Sequence, residues 1–359
     1  MKNLIDCFKN KKVLITGHTG FKGSWLALWL NNIGANVLGI SKDIPTNPSH
    51  FEHLKFKKNF KTVIFDVKNY KLLNNTIKNF HPDFIFHLAA QSIVNKSYIN
   101  TLNTWETNLM GTINLLESLK NYKKKIVTVI VTSDKSYKNL ETKRGYSEND
   151  LLGGIDPYGA SKSATEIAIT SYVKSFFNSK NNNVFIGVGR AGNVIGGGDW
   201  SSNRLVPDCM KSWLLKKKVL IRNPNSTRPW QHVLEVIHGY LQLARVLKKN
   251  KSLHGEAFNF GPNMKKNYKV IEILNLAKKN WSEISWKIEK NKKIFFENKL
   301  LNLNNQNSKK ILKWKPNLSF DQRIYLTIDW YKQFNKNKKN INNISLEQLK
   351  FYQKICEKK

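Results

Sequence analysis

Acid is scarce in this chain: 359 residues carry 25 Asp and Glu against 60 Lys and Arg, a formal net charge of +35. Arginine is scarcer still, at seven positions (144, 190, 204, 222, 228, 245 and 323), so 53 of the basic residues are Lys, beside 45 Asn. A nucleic-acid binder clusters its cations on one element or face. Here the Lys are dispersed over 55–61, 120–125, 216–218, 248–251, 287–293 and 336–339. Joint excess of Lys and Asn reads as an AT-rich coding bias, so no nucleic-acid partner is expected. The charge can still steer anionic substrates. Cysteine is nearly absent: Cys7, Cys209 and Cys356 stand too far apart for a disulfide framework or a metal-ligand spacing, and no metal is expected. No apolar run approaches the ~18 residues of a membrane span. Met1 to Cys7 lack the apolar stretch of a secretory leader. A cytoplasmic, soluble protein is expected. With 40% apolar and 11% aromatic residues, the chain has material for a large core, which excludes disorder.

What is present is an alternation. Lys12 to Thr16 form a short apolar run that stops at Gly17, and Gly17-His18-Thr19-Gly20-Phe21-Lys22-Gly23 leads into an amphipathic stretch, Ser24 to Ile33. That is strand, glycine turn, helix. Such glycines let the backbone approach a pyrophosphate, which then sits on the free N–H groups of the helix N-terminus. A second strand, Asn36 to Ile40, closes a βαβ unit. Further strands end in polar or small residues: Val63 to Phe65 at Asp66, Phe84 to Leu88 at Ala89-Ala90, and Ile126 to Val131 at Thr132-Ser133-Asp134. Helical patterns over 69–80 and about 101–121 separate them. The expected fold class is α/β: a Rossmann-type doubly wound parallel sheet, covered on both faces, with a smaller C-terminal α/β substrate-binding lobe. Its ligand site lies beyond the C-terminal strand ends. The expected division is 1–190 for dinucleotide binding, with later segments free to return to it. Residues 191–334 form the lobe, and 335–359 a polar Lys/Asn-rich tail with a helix at 345–356.

The three glycines, His87-Leu88-Ala89-Ala90-Gln91, and Tyr158 with Lys162 together resemble the extended short-chain dehydrogenase/reductase family, over residues 12 to about 330. Four stretches resemble, within it, the CDP-glucose 4,6-dehydratases: Gly17–Leu30, Thr132–Tyr137, Arg190–Trp200 and Arg222–Val233. The resemblance implies a hydro-lyase that oxidises the sugar at C4, removes water across C5–C6 and reduces C6. The product, CDP-4-keto-6-deoxyglucose, feeds deoxysugar synthesis. It implies NAD as the cofactor, because one that is recycled each turnover stays bound. The end of the second strand, Ser41-Lys42-Asp43, does not decide between NAD and NADP by charge. A homodimer is implied as well, with Leu109, Ile113, Ile167 and Tyr172 facing outward.

Residue roles follow. Tyr158 and Lys162, four apart, share one helix face behind Pro157, a residue suited to a helix start. The resemblance makes Tyr158 the base, Lys162 its helper and Thr132 the hydroxyl that orients the substrate. The ammonium and a cationic nicotinamide are expected to lower the tyrosine's pKa. Asp134-Lys135 distinguishes a dehydratase from an epimerase or reductase, because elimination needs an acid for the C6 hydroxyl and a base for the C5 proton. Asp134 is the expected acid. Lys135, neutral in a desolvated site, or a water it orders, is the expected base. Gly17, Thr19, Gly20, Phe21, Gly23, Asp66, Val67, Ala89, Ala90 and Thr107 match cofactor-binding positions. Asn108 either joins them or marks a helix kink. Gln91, Asn193, Arg204, Arg222 and Arg228 are the expected substrate contacts, since guanidinium forks hold diphosphate oxygens bidentately. Trp230 and His232 belong either to the core or to the pocket lining. Ser147, Asn304 and Lys313 depart from the family pattern and bear on the substrate more than on the reaction. Dehydration of another nucleotide sugar such as UDP-N-acetylglucosamine, epimerisation or reduction, and a Lys-rich anion- or nucleic-acid-binding protein are the competing readings.

Overall fold

The computed structural model describes residues 1–142, 144–263, 267–289 and 301–358. Its centre is a seven-stranded, all-parallel sheet. The first six strands are β1 (Lys12–Thr16), β2 (Asn36–Ser41), β3 (Phe60–Ile64), β4 (Phe84–His87), β5 (Ile126–Val131) and β6 (Val184–Ala191). In space they run β3-β2-β1-β4-β5-β6, with the strand Ala257–Phe260 added beyond β6. The winding reverses between β1 and β4, so their carboxyl ends open a crevice at the switch point. β1, β4, β5 and β6 are buried along nearly their whole length, as near-continuous Val, Ile and Phe runs require in a sheet covered on both faces.

Some elements differ from the sequence expectation. The helix after the glycine turn, Phe21–Asn32, is not amphipathic: Gly23 to Asn31 are all buried. It lies between the sheet and the C-terminal helices, so no side of it meets water. β3 is an exposed edge, with Val63 37% and Ile64 59% accessible, because no further strand or helix covers it. The helical pattern over 101–121 is broken into Thr101–Trp105, a π-helical turn Glu106–Met110, and Gly111–Leu119.

The lobe is built from short strand pairs. Val194–Ile195 pairs with Gln231–His232, Thr227–Arg228 with Tyr268–Lys269, and Val219–Ile221 with Trp286–Ile288. Helix Val233–Lys249 returns to cover β5 and β6. The lobe is fastened to it by a buried ion pair, Arg323 Nε to Glu235 Oε2 at 2.9 Å. Trp230 and His232 are core residues. The Trp230 indole N–H donates to the Tyr268 carbonyl, and His232 caps the helix that follows.

The last segment is no loose tail. Helix Ile341–Glu357 buries Ile341, Ile344, Leu349 and Tyr352. Tyr352 lies edge-on to Trp29 at 5.9 Å and to His238 at 5.8 Å. The His50 ring joins Ser24 of the glycine-turn helix to Ser345, at 2.8 and 3.1 Å. Each buried residue of this helix sits among Lys and Asn, which dilute its apolar periodicity. Tyr352→Ala is therefore expected to destabilise the protein by about 3 kcal/mol, the scale for removing a buried ring, read as a lower urea midpoint.

Candidate active site

Gly17 leaves β1 at φ +76°, and a Cβ there would sit 2.8 Å from the Ala89 amide. A Cβ on Gly23 would meet the Gly17 carbonyl at 2.0 Å, so the helix can close on the turn only without one. Above Gly20 the space is open apart from that carbonyl at 3.4 Å. The turn is thus a bare cradle at a helix N-terminus. Its floor is braced by two neutral histidines. His18, brought to about 4 by burial, contacts Ser41 and Thr62; His87, brought to about 3, contacts Thr16 and Thr112. Gly39 leaves room for the His18 ring, which a Cβ would strike at 2.3 Å. Thr19 donates its hydroxyl to the Asp43 carbonyl, Asp66 accepts from the Lys68 amide, and Val67 is buried beneath. Ala89 and Ala90 line the crevice half-buried. The Thr107 hydroxyl is buried with no partner among the described residues.

Asn108 and Gln91 serve the scaffold. The Asn108 carboxamide clamps the Gln91 backbone from both sides, at 2.8 and 3.1 Å, and donates to Ser161 at 2.8 Å. Gln91 uses its own carboxamide on Ile93 and Thr104. Of the two alternatives for Asn108, the π-helical kink is the one present. Gln91, expected as a substrate contact, braces its own loop.

Tyr158 and Lys162 project from helix Pro157–Phe176, which the Asp156 carboxylate caps through the Gly159 amide at 2.9 Å. Tyr158 is buried, and the Ser133 hydroxyl hydrogen-bonds to it. Thr132 faces the other way and donates to Glu166 Oε1 at 2.7 Å. Adjacent residues leaving a strand point to opposite sides, so only one of these hydroxyls can meet Tyr158, and it is Ser133. The period-two rule, counted from β5, is the signal the sequence reading passed over. Among the protein's own groups, burial raises the Tyr158 pKa, with Asp134 and Asp156 adding to the rise; Ser133 and Arg204 oppose it without reversing it. Lys162 is brought to about 8 by burial and donates to the Val131 carbonyl at 3.3 Å.

Asp134 is 4% exposed. Its Oδ1 accepts from Ser133 at 3.0 Å, and its Oδ2 has no partner among the described residues. Oδ2 instead faces Gly192, where a Cβ would come within 2.8 Å. Burial raises this carboxyl's pKa, against the pull of Lys135 and Lys22. Lys135 is not desolvated as expected: its side chain is 36% exposed, and its ammonium pairs with Asp156 at 3.8 Å.

The arginines do not converge. Arg204 bonds Asp199 at 3.1 Å and Ser92 at 3.2 Å, and acts electrostatically on Tyr158. Arg228 donates to the Thr227 carbonyl, and Asn193 is half-buried. Arg222 lies on the outer strand pair, 72% exposed and 3.6 Å from Glu289. Nothing in that position brings it to the cleft.

Behind the site stands a second buried ion pair, with no role assigned from sequence. Arg190 on β6 meets Glu166 through Nε at 2.8 Å and bonds Tyr137 at 2.7 Å, while Ser136 donates to Glu166 at 3.0 Å. Among the described residues no group of three His, Cys, Asp or Glu could hold a metal. Arg190→Met alone is expected to cost about 3 kcal/mol, since it strands a buried carboxylate. Arg190→Met with Glu166→Leu should recover most of that loss in chemical denaturation.

A family described as GDP-mannose 4,6 dehydratase matches residues 14–327. The chain is 40% identical over 329 residues to the CDP-glucose 4,6-dehydratase of Salmonella typhimurium, covering 90% of this chain and 91% of that one. Among solved structures it resembles the epimerase Mth375 of Methanothermobacter thermautotrophicus, with a TM-score of 0.81 and 21% identity over 94% and 96% of the two chains. It also resembles a Bacillus anthracis dTDP-glucose 4,6-dehydratase in complex with NAD, with a TM-score of 0.74 and 22% identity over 90% and 97%. At those identities the structural likeness is one of fold.

Proposed function

From a chain that belongs to the GDP-mannose 4,6 dehydratase family, we propose a hydro-lyase that uses bound NAD to dehydrate CDP-glucose to CDP-4-keto-6-deoxyglucose. The observation that carries this reading is Asp134: a buried carboxyl with its pKa raised and one oxygen unpartnered, beside the Tyr158–Ser133 contact. Epimerisation and reduction need no acid there. The relative at 40% identity carries the CDP-glucose name, and it favours CDP over other nucleotides.

The residues present fit a dinucleotide. The open cradle over Gly20 suits a pyrophosphate on the amides that start the helix, and the orphan Thr107 hydroxyl and Asp66 stand where ribose and adenine would lie. NAD, when bound, supplies the hydride acceptor for C4 and a positive charge beside the Tyr158 ring. Tyr158 takes the proton of the C4 hydroxyl, and Ser133 holds that hydroxyl in place. A phenol raised by burial ionises only with cations beside it, which is the work of Lys162 and the bound cofactor. Asp134, whose pKa burial raises, gives a proton to the departing C6 oxygen. Arg228 and Asn193 are assigned to the diphosphate, and Arg204, held by Asp199, stands nearer the sugar. Arg222 has no support for such a role in its position.

No helix among the described residues is long and apolar enough to cross a membrane, which supports a cytoplasmic enzyme. A homodimer is supported by an apolar surface on neighbouring helices. Leu102, Met110, Ile167 and Phe176 are 71%, 46%, 62% and 50% exposed, whereas Leu109, Ile113 and Tyr172 are half-buried. Ile167→Glu should convert the dimer to a monomer in light scattering.

A panel of nucleotide sugars assayed for a 4-keto-6-deoxy product tests the function, with CDP-glucose expected to be preferred. Asp134→Asn should slow dehydration about 10²–10⁴-fold, the worth of general acid assistance, yet still show reduced-cofactor absorbance on mixing with substrate. Tyr158→Phe should stop the reaction before that absorbance appears. Unchanged turnover in Asp134→Asn would remove the dehydratase assignment's main residue-level support.

A further inference from the structure

Glu166 lies eight residues past Tyr158 and four past Lys162 on helix Pro157–Phe176, so the three share one face of it. No step of the proposed reaction uses its carboxylate, which is 4% exposed. Oε1 accepts the Thr132 hydroxyl at 2.7 Å and lies 3.0 Å from Arg190 Nε. It also lies 3.0 Å from the Ser136 hydroxyl, which at the same time reaches the Ser133 carbonyl at 2.6 Å. One oxygen atom therefore holds both ends of the stretch 132–136. Between those ends stand Ser133, in contact with Tyr158, and Asp134, whose Oδ1 lies 3.0 Å from the Ser133 hydroxyl. Arg190 fixes the carboxylate in turn. Its Nε lies 2.8 Å from Oε2, and its Nη1 donates to the Tyr137 hydroxyl and the Glu148 carbonyl at 2.7 and 2.9 Å.

Thr132 is the last residue of this stretch that the sheet fixes, through its amide on the Gly189 carbonyl at 3.0 Å. Ser133 and Asp134 have left the ladder. The amides of Ser136 and Tyr137 close the turn on the Ser133 and Asp134 carbonyls, at 3.1 and 3.3 Å. Those bonds set the shape of the turn but not its place against Tyr158. Ser163, on the Tyr158 helix, ties the far end through the Ser136 carbonyl at 2.7 Å. At the near end, among the described residues, Thr132 reaches that helix by hydrogen bond only through Glu166. We propose that Glu166 is a positioning residue for the dehydration: through Thr132 and Ser136 it places Ser133 and Asp134 against Tyr158. The inference rests on the dehydratase reading. In that reaction Tyr158 meets the C4 oxygen while Asp134 meets the C6 oxygen, and the sugar holds those two atoms a set distance apart. Base and acid must match that distance. One helix sets both, since it carries Tyr158 itself and holds the Asp134 turn through Glu166. A misplacement of about 1 Å costs about 10²-fold in rate. Arg190 acts one step further off, by keeping the carboxylate turned to the two hydroxyls.

The test uses the full chain with its cofactor. Arg190→Met with Glu166→Leu removes the clip and leaves no buried charge unpaired, so a catalytic loss in this variant is not a loss of fold. Its kcat should fall about 10²-fold, with KM little changed because the residues assigned to the diphosphate are intact. Deuterium uptake by the peptide spanning 132–137 should rise, while uptake across the sheet stays at the wild-type level. Thr132→Val keeps the shape and loses the hydroxyl. It should lower kcat in the wild-type background and add nothing in the double variant, since both changes break one link. A Thr132 hydroxyl that touched substrate directly would give additive losses instead, and additivity overturns the proposal. So does a double variant that folds and turns over at the wild-type rate. If the double variant does not fold, Thr132→Val and Ser136→Ala decide: each should lower kcat with KM little changed, and wild-type turnover in both overturns the proposal. If the wild-type enzyme forms no 4-keto sugar from any nucleotide sugar, the dehydratase reading falls by itself. Uptake then reports on the clip alone: a rise at 132–137 supports the positioning of this turn by Glu166, and unchanged uptake overturns it.

Discussion

The arrangement of the active site depends on the buried ion pair between Glu166 and Arg190. It joins β6 to the helix that carries Tyr158 and Lys162, and it gathers the hydroxyls of Thr132, Ser136 and Tyr137 from the segment between them. Removing two charges from water is costly, and the cost is recovered only when every remaining donor and acceptor is matched. Here the matching partners come from the stretch that carries Asp134 and Lys135, together with the Glu148 carbonyl. The pair therefore holds that stretch in a single conformation. Ser133 is turned toward Tyr158 as a consequence, because its neighbour Thr132 is committed to Glu166.

The rest of the cleft uses the opposite device, polar groups left without protein partners. Asp134 Oδ2 and the Thr107 hydroxyl are buried and unpaired among the described residues. A buried unmatched polar group costs free energy, so a fold keeps one where a ligand completes it. The contrast with Asn108 and Gln91 is instructive. Gln91 follows β4 and Asn108 lies in the π-helical turn, and their carboxamides are spent on the chain itself. Burial also sets the acid–base character of the site. It raises Asp134 and lowers Lys162, bringing both toward the range where proton transfer is efficient, and it raises Tyr158 away from that range.

Much of the fold was legible because the physics that produces it is local. Apolar runs of four to six residues ending at Gly17, Ala89 or Thr132 are strands buried on both faces, and glycine between strand and helix permits the close approach at Gly17 and Gly23. The C-terminal helix was legible only in part, since Lys and Asn dilute its apolar face. The π-helical turn at 106–110 was legible only as one of two alternatives for Asn108, whose carboxamide reaches across to Gln91 and Ser161.

The sequence by itself determined the sheet and its winding, the glycine cradle, the helix with Tyr158 and Lys162 on one face, and the placing of an acid at the end of β5. Each follows from the period of side chains along a strand or helix, or from a backbone only glycine can adopt. Only the tertiary structure decided which side chains meet. Ser133 took the place expected for Thr132, Lys135 turned out to Asp156, and Arg222 went to the outer strand pair. Those outcomes depend on burial and on charges far apart in the chain. A residue's protonation and orientation are set by its neighbours in space, and no spacing along the sequence contains them.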